Sequence, residues 1–153
     1  MEVKQITAET LTKLRQRMID FIRAGHGDRR ITKQGFQWMK EVSPQDLQEP
    51  GTVLLIAIED KKIVGLLATA DYGRKEAFVL VHKLYRENGI GVALIQELMK
   101  RIDKVYGKVA LDNIPSLKMC FAMGMVGFKV VTGPTGKHTL CLGLGNWRKD
   151  DVN

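Results

Sequence analysis

The spacing of apolar positions switches between a helical and a strand period along this chain, and the switches mark its elements. Glu2–Ile6 alternates like a short strand. Leu11, Leu14, Met18, Phe21 and Ile22 then recur every three or four residues, which predicts a helix capped by Thr7 or Thr10 and closed by Gly25. The polar stretch Ala24–Arg30 separates it from a second, weaker helix over Ile31–Val42, stopped by Ser43-Pro44. After Pro50-Gly51 the period changes. Thr52–Ile58 and Ile63–Thr69 are apolar runs of strand length joined by the turn Glu59-Asp60-Lys61-Lys62, and Asp71-Tyr72-Gly73-Arg74 turns the chain into a third strand at Phe78–His82. A helical period returns with Leu94, Ile95, Leu98, Ile102 and Val105, opposite Gln96, Glu97, Lys100, Arg101 and Lys104. A strand at Val109–Asp112, a short helix at Leu117–Met123 begun near Pro115, and strands at Phe128–Thr132 and Thr139–Leu144 complete the pattern.

Short turns force antiparallel pairing, whereas the helix after Gly91 is a crossover that should return Val109–Asp112 parallel to Phe78–His82. The expected fold is therefore α/β (α+β): a mixed, mostly antiparallel sheet with one parallel strand pair and helices on both faces. At 153 residues it should be one domain, spanning 1–153. No apolar run reaches the ~20 residues that span a bilayer, and the opening MEVKQIT is too polar for a signal peptide, so a soluble protein is expected. Cys120 and Cys141 lie in apolar segments without metal-ligand spacing, which suggests a reducing cytoplasm and no disulfide scaffold. His26, His82 and His138 are far apart in sequence, and no metal site is indicated. The net charge of +7 is spread over helix faces and turns. That scatter favours a field attracting an anionic small ligand over a nucleic-acid surface.

The candidate chemistry sits between Phe78 and the helix beginning near Gly91. The first N–H groups of a helix lack intrahelical partners and carry partial positive charge, and glycines let neighbouring amides converge on one anion. Arg86–Val92 is thus a phosphate-sized site, with the Arg86 side chain as a further donor. Two other phosphate motifs match less well. The dinucleotide fingerprint wants a glycine where Leu94 stands and an acid about 20 residues on, for which only Asp112 qualifies. A P-loop in GPTGKHT would put Val131 at its first glycine and His138 at its Ser/Thr, so a hairpin turn is the better reading.

Arg86-Glu87-Asn88-Gly89-Ile90-Gly91 has the form Arg-x-x-Gly-x-Gly, and with VHKLY before it resembles the strand-to-helix segment of the GCN5-related N-acetyltransferase (GNAT) superfamily. The resemblance extends over most of the chain, through the hairpins upstream and Asn113 downstream. It implies the acyl-CoA N-acyltransferase fold and transfer of an acetyl group from acetyl-CoA to a primary amine, on a small molecule or a protein, by direct attack in a ternary complex. It also implies that Arg86, Glu87, Asn88, Gly89, Ile90, Gly91 and Val92 hold the pyrophosphate of the coenzyme. Backbone groups of Leu80, Val81 and Lys83 would pair with the pantetheine arm, an N–H near Val81 facing the thioester oxygen. Asn113, with Ser116 beyond it, would lie on the pantetheine side, although Asn113 suits an Asx turn equally well.

In many members a tyrosine about seven residues past that asparagine protonates the leaving sulfur; here Cys120 occupies the position. The family's closing Gly-Phe corresponds to Gly124-Met125 or to Gly127-Phe128, and counting back from the second pair lands on Met123 instead. Tyr85 and Tyr106 are the other tyrosines near the motif. Glu76 and His82 are the candidate general bases, at opposite ends of one strand and on one side by alternation. Three alternatives stay open at this point. They are a non-catalytic acyl-CoA-binding sensor or protein-interaction domain on the same fold, a nucleotide- or nucleic-acid-binding α/β domain, and a dimer contact through the C-terminal strand and Trp147.

Overall fold

The computed structural model describes residues 1–26, 31–133 and 136–152. Residues 27–30 of the expected polar loop and 134–135 of GPTGKHT lie outside them, as does the side chain of His26.

Strand β1 (Glu2–Gln5) leads into helix α1 (Ala8–Phe21), whose start is fixed by a reciprocal capping box between Thr7 and Thr10. A wider turn over Ile22–His26 follows, and Thr32 caps helix α2 (Lys33–Glu41) by accepting from the Gly35 N–H at 2.9 Å. The Arg15 guanidinium on α1 donates to the carbonyls of Met39, Lys40 and Val42, so it satisfies the end of α2 and fixes the two helices together. Both pack on an antiparallel sheet of order β1-β2-β3-β4, completed by β2 (Val53–Glu59), β3 (Lys62–Ala70) and β4 (Glu76–Val81). Asp60 and Lys61, with φ of 51° and 64°, make the tight β2–β3 hairpin turn.

The central strands read as unbroken apolar runs because both of their faces are covered. Leu54, Ile56, Leu66 and Ala68 join Leu11, Met18 and Met39 in one core, whereas Leu55, Ala57, Val64 and Leu67 join a second core with Leu94 and Leu98 of helix α3 (Ile90–Met99). A second antiparallel sheet, order β5-β7-β6, consists of β5 (Lys104–Ala110), β7 (His138–Gly145) and β6 (Val126–Thr132), with α4 (Ile114–Ala122) between β5 and β6 in sequence. β6 and β7 form a hairpin around GPTGKHT, where the Gly133 N–H donates to the Lys137 carbonyl at 2.7 Å. Trp147 lies over Gly143 of β7 and stacks on Phe128, ring centroids 5.0 Å apart.

Two expectations change. The helix after Gly91 ends at Met99, and the next strand occupies Lys104–Ala110, not Val109–Asp112. Ile102 and Val105 match helical spacing only by coincidence; alternation puts Val105 and Val109 in the second core and Tyr106 on the opposite face. The parallel pair is also not formed as a ladder. Every strand pairing among the described residues is antiparallel, and β4 and β5 are the end strands of two separate sheets. No helix among the described residues is long and apolar enough to cross a membrane.

Candidate functional site

A cleft of about 260 Å³ opens between β4 and β5, the place where the two sheets part. Ala77, Phe78 and Val79 form one wall, and Tyr106 through Ala110 the other. The sheets meet at the β3–β4 turn: Gly73 has φ 93°, and a Cβ there would lie 1.9 Å from the Tyr106 carbonyl oxygen. Strand edges that face each other without a ladder can accept an extended ligand as a further strand.

The loop after β4 is held by its own backbone. The His82 N–H donates to the Val64 carbonyl at 2.8 Å, and its Nδ1 accepts the Leu84 N–H at 3.1 Å, capping the turn Lys83–Tyr85. The Arg86 Nε–H donates to the Val81 carbonyl at 3.3 Å. Glu87 and Gly89 take φ of 67° and 75°, and Gly89 begins α3 with no side-chain cap on the first amides of the helix. Nothing lies within 4 Å of a Cβ placed on Gly89, so this helix start is open to a ligand. At Gly91 the reverse holds: a Cβ would come 2.2 Å from Met119 Sδ, so this glycine lets α3 and α4 approach closely.

Helix α4 supplies the far side of the cleft. Asn113 Oδ1 accepts the Ser116 N–H at 3.4 Å, making Asn113 the N-cap, and Pro115 occupies the first turn. Asn113, Ser116 and Cys120 share one helix face, and all three line the cleft. Gly124, with φ 85°, ends the helix, and the Met125 N–H donates to the Cys120 carbonyl at 3.0 Å. Gly127 lies inside β6. The helix-closing glycine is therefore Gly124, and counting back from it reaches Cys120. Burial pushes the Cys120 thiol up to about 11.

Strand β4 separates the two candidate bases. Glu76, Phe78 and Leu80 share the face that packs towards α1 and α2. The half-buried Glu76 carboxyl lies beside the start of α2, its Oε1 3.2 Å from a Cβ placed on Gly35, and it accepts the Ala77 N–H at 3.3 Å. Desolvation raises its pKa above the ordinary carboxylate value. Thr32, the cap of α2, and Ala77, the residue after Glu76, line the cleft. His82 stands roughly 20 Å away along the strand, at ~3.3 Å per residue, with its imidazole built into the Lys83–Tyr85 turn.

Sequence reasoning missed the β5 wall. Tyr106, expected at a helix end, is buried in β5, where its hydroxyl donates to Asp151 and accepts the Arg148 N–H at 2.9 Å. Burial and the Asp151 carboxylate hold this phenol above its usual pKa. The alternation Val105-Tyr106-Gly107-Lys108-Val109 was the available signal. Among the described residues, no group of three or more His, Cys, Asp and Glu side chains could hold a metal ion.

This arrangement is matched by known proteins. A family model described as an acetyltransferase (GNAT) domain matches residues 28–141. The chain belongs to this family. No curated protein is significantly similar in sequence to this GNAT chain. Solved GNAT structures share its fold at low identity. A GNAT-family acetyltransferase from Streptococcus pneumoniae has TM-score 0.73 at 16% identity, covering 94% of this chain and 98% of that one. A ribosomal-protein-alanine N-acetyltransferase from Brucella melitensis has TM-score 0.64 at 16% identity, with coverages of 95% and 99%. The microcin C7 self-immunity acetyltransferase MccE, solved with acetyl-CoA and AMP, has TM-score 0.71 at 15% identity, with coverages of 94% and 92%.

Proposed function

We propose that this GNAT chain transfers an acetyl group from acetyl-CoA to a primary amine by direct attack within a ternary complex. The observation that carries the reading is the uncapped glycine start of α3 set beside a cleft between two unjoined strand edges. The acetyl-CoA bound to the structurally similar MccE supports the choice of donor. In this reading the amides of Gly89–Val92, with Arg86, take the pyrophosphate, Glu87 and Asn88 shaping the turn. The backbone at Leu80, Val81 and Lys83 lies along the pantetheine arm, and Asn113 and Ser116 border its far side. A main-chain N–H near Val81 polarises the thioester carbonyl.

The acceptor enters from the α2 side. Glu76 takes a proton from the ammonium group, directly or through a water, and the freed lone pair attacks the carbonyl carbon. The tetrahedral intermediate collapses with cleavage of the C–S bond, and the departing thiolate needs one proton. Cys120 stays a thiol at neutral pH, but transfer from a group at about 11 to a thiolate of ordinary pKa, about 8.5, is uphill by roughly 3 kcal/mol. In our reading the attacking nitrogen, which must lose a second proton as the amide forms, supplies that proton to the sulfur through a water, and Cys120 shapes the cleft. His82 positions the loop.

Thermal unfolding at fixed salt with acetyl-CoA, CoA, NADH and ATP in parallel tests the reading. A ligand at 100 times its dissociation constant stabilises the fold by about 2.7 kcal/mol. A shift with acetyl-CoA and CoA, followed by thiol release on adding an amine, is expected. Equal shifts with ATP, or none with the acyl donor, would overturn the assignment; binding without thiol release on any amine would favour an acyl-CoA-binding domain.

A further inference from the structure

The face of the second sheet that continues from the cleft carries two exposed lysines, Lys108 and Lys129, with no carboxylate partner among the described residues. A smaller cavity of about 160 Å³ is lined by Arg74, Tyr106, Lys108, Phe128 and Asp151, and it shares Tyr106, Gly107 and Lys108 with the main cleft. Strand register explains the charge. Lys108 of β5 and Lys129 of β6 both pair with Cys141 of the intervening β7, so they stand on one rung and one face. Two strand spacings of ~4.8 Å put their Cα atoms about 10 Å apart. Tyr106 shares that face two residues before Lys108.

The acids nearby are already engaged. Asp151 accepts from the Tyr106 hydroxyl and faces the Lys104 ammonium at 3.2 Å, while Asp71 pairs with Arg74 at 2.8 Å. Lys108 and Lys129 are exposed and have no carboxylate partner among the described residues. Arg74 is held over the Tyr106 and Tyr72 rings at 6.0 and 5.8 Å, and Asp71 accepts from its Nε and Nη2 groups, while Nη1 has no hydrogen-bond partner among the described residues. Across the cleft, Glu76 is the only acid we place at the reacting amine.

We infer that the acceptor is an amine that also bears an anionic group, a carboxylate or a phosphate, and that Lys108, Arg74 and Lys129 receive this group beside the Tyr106 ring. This rests on the acetyltransferase reading and names the acceptor class for the same site. An acceptor of that kind puts its ammonium end at Glu76 and its anion on the cations, whereas a polyamine would meet uncompensated like charge.

The test is acetyl-CoA-dependent thiol release with matched amine pairs: amino acids against their carboxamides, and aminoalkyl phosphates against the corresponding amino alcohols. The anionic member of at least one pair should be preferred by about tenfold or more in kcat/KM, the larger preference identifying the anion. Lys129→Ala should raise KM for that member severalfold while kcat/KM for its uncharged counterpart changes less than about twofold, and Lys108→Ala should raise KM for the anionic member severalfold more than for the uncharged one. A retained acetyl-CoA thermal shift shows that the variants are folded. Equal use of both members, a preference for polyamines, or equal losses on both members in the variants would overturn the inference while leaving acetyl transfer standing. Failure of the wild-type protein to bind acetyl-CoA would overturn both.

Discussion

Glu76 is held where ionisation is costly. Its carboxyl is half-buried beside α2, and desolvation raises its pKa. A group of this kind favours the folded state in its protonated form, so its contribution is present below the unfolded pKa and lost as pH rises through the folded one. The base of the proposed mechanism, however, is the ionised form. Glu76→Gln should therefore lower kcat/KM by about 10²–10⁴-fold and remove an acid limb lying above the ordinary carboxylate range, while the thermal midpoint at neutral pH stays equal or rises. A pH–rate profile and an unfolding curve on the same preparation check both parts; an unchanged profile would shift the role to water alone. Cys120→Ala is expected to keep kcat within about tenfold, because a thiol pushed up to about 11 is a weak proton donor, and single-turnover thiol release reads this directly. Both residues were candidates from sequence, Cys120 by its spacing from Asn113 and Glu76 by its place at the start of the strand leading to the site. How burial moves each of them, raising the Glu76 carboxyl and pushing the Cys120 thiol up to about 11, is not stated by the sequence.

At the scale of elements, the start of α3 was readable from local chemistry alone. Arg86-Glu87-Asn88-Gly89-Ile90-Gly91 contains the left-handed Gly89 and the open helix start that the pattern implied. The two glycines nevertheless differ in task, which the sequence could not reveal. Gly89 faces open space, and Gly91 faces Met119 of α4. Gly91→Ala must displace that methionine or separate the helices, and we expect a loss of about 1–3 kcal/mol in stability. Chemical denaturation measures the first effect and an acetyl-CoA titration the accompanying loss of affinity, since Asn113 and Ser116 begin the displaced helix. The same region shows how local pattern misleads. Ile102 and Val105 continued the helical spacing of Leu94 and Leu98, yet Lys104–Ala110 gains a full antiparallel partner in β7, and that long-range ladder overrides the local period.

On the scale of the whole molecule, two antiparallel sheets abut and leave a cleft where a ladder would otherwise run. An acyl donor lying along β4 should then complete the sheet from outside. Hydrogen exchange is expected to slow on adding acetyl-CoA along Glu76–Val81 and Lys104–Ala110 and around Gly89–Val92, with little change in β1 and β2. Uniform protection, or none in β4, would contradict this binding mode. Helices α1 and α2, the β2–β3 hairpin and the glycine start of α3 were set by sequence alone, because periodicity, capping residues and glycine turns act within a few residues of one another. Only the tertiary structure decided that β4 and β5 stay apart, that Gly124 closes α4 opposite the cleft, that Glu76 meets α2, and that Lys108 and Lys129 share a rung. These are relations between segments distant in the chain, set by which faces bury apolar area together and by register across β7, and no local pattern encodes them.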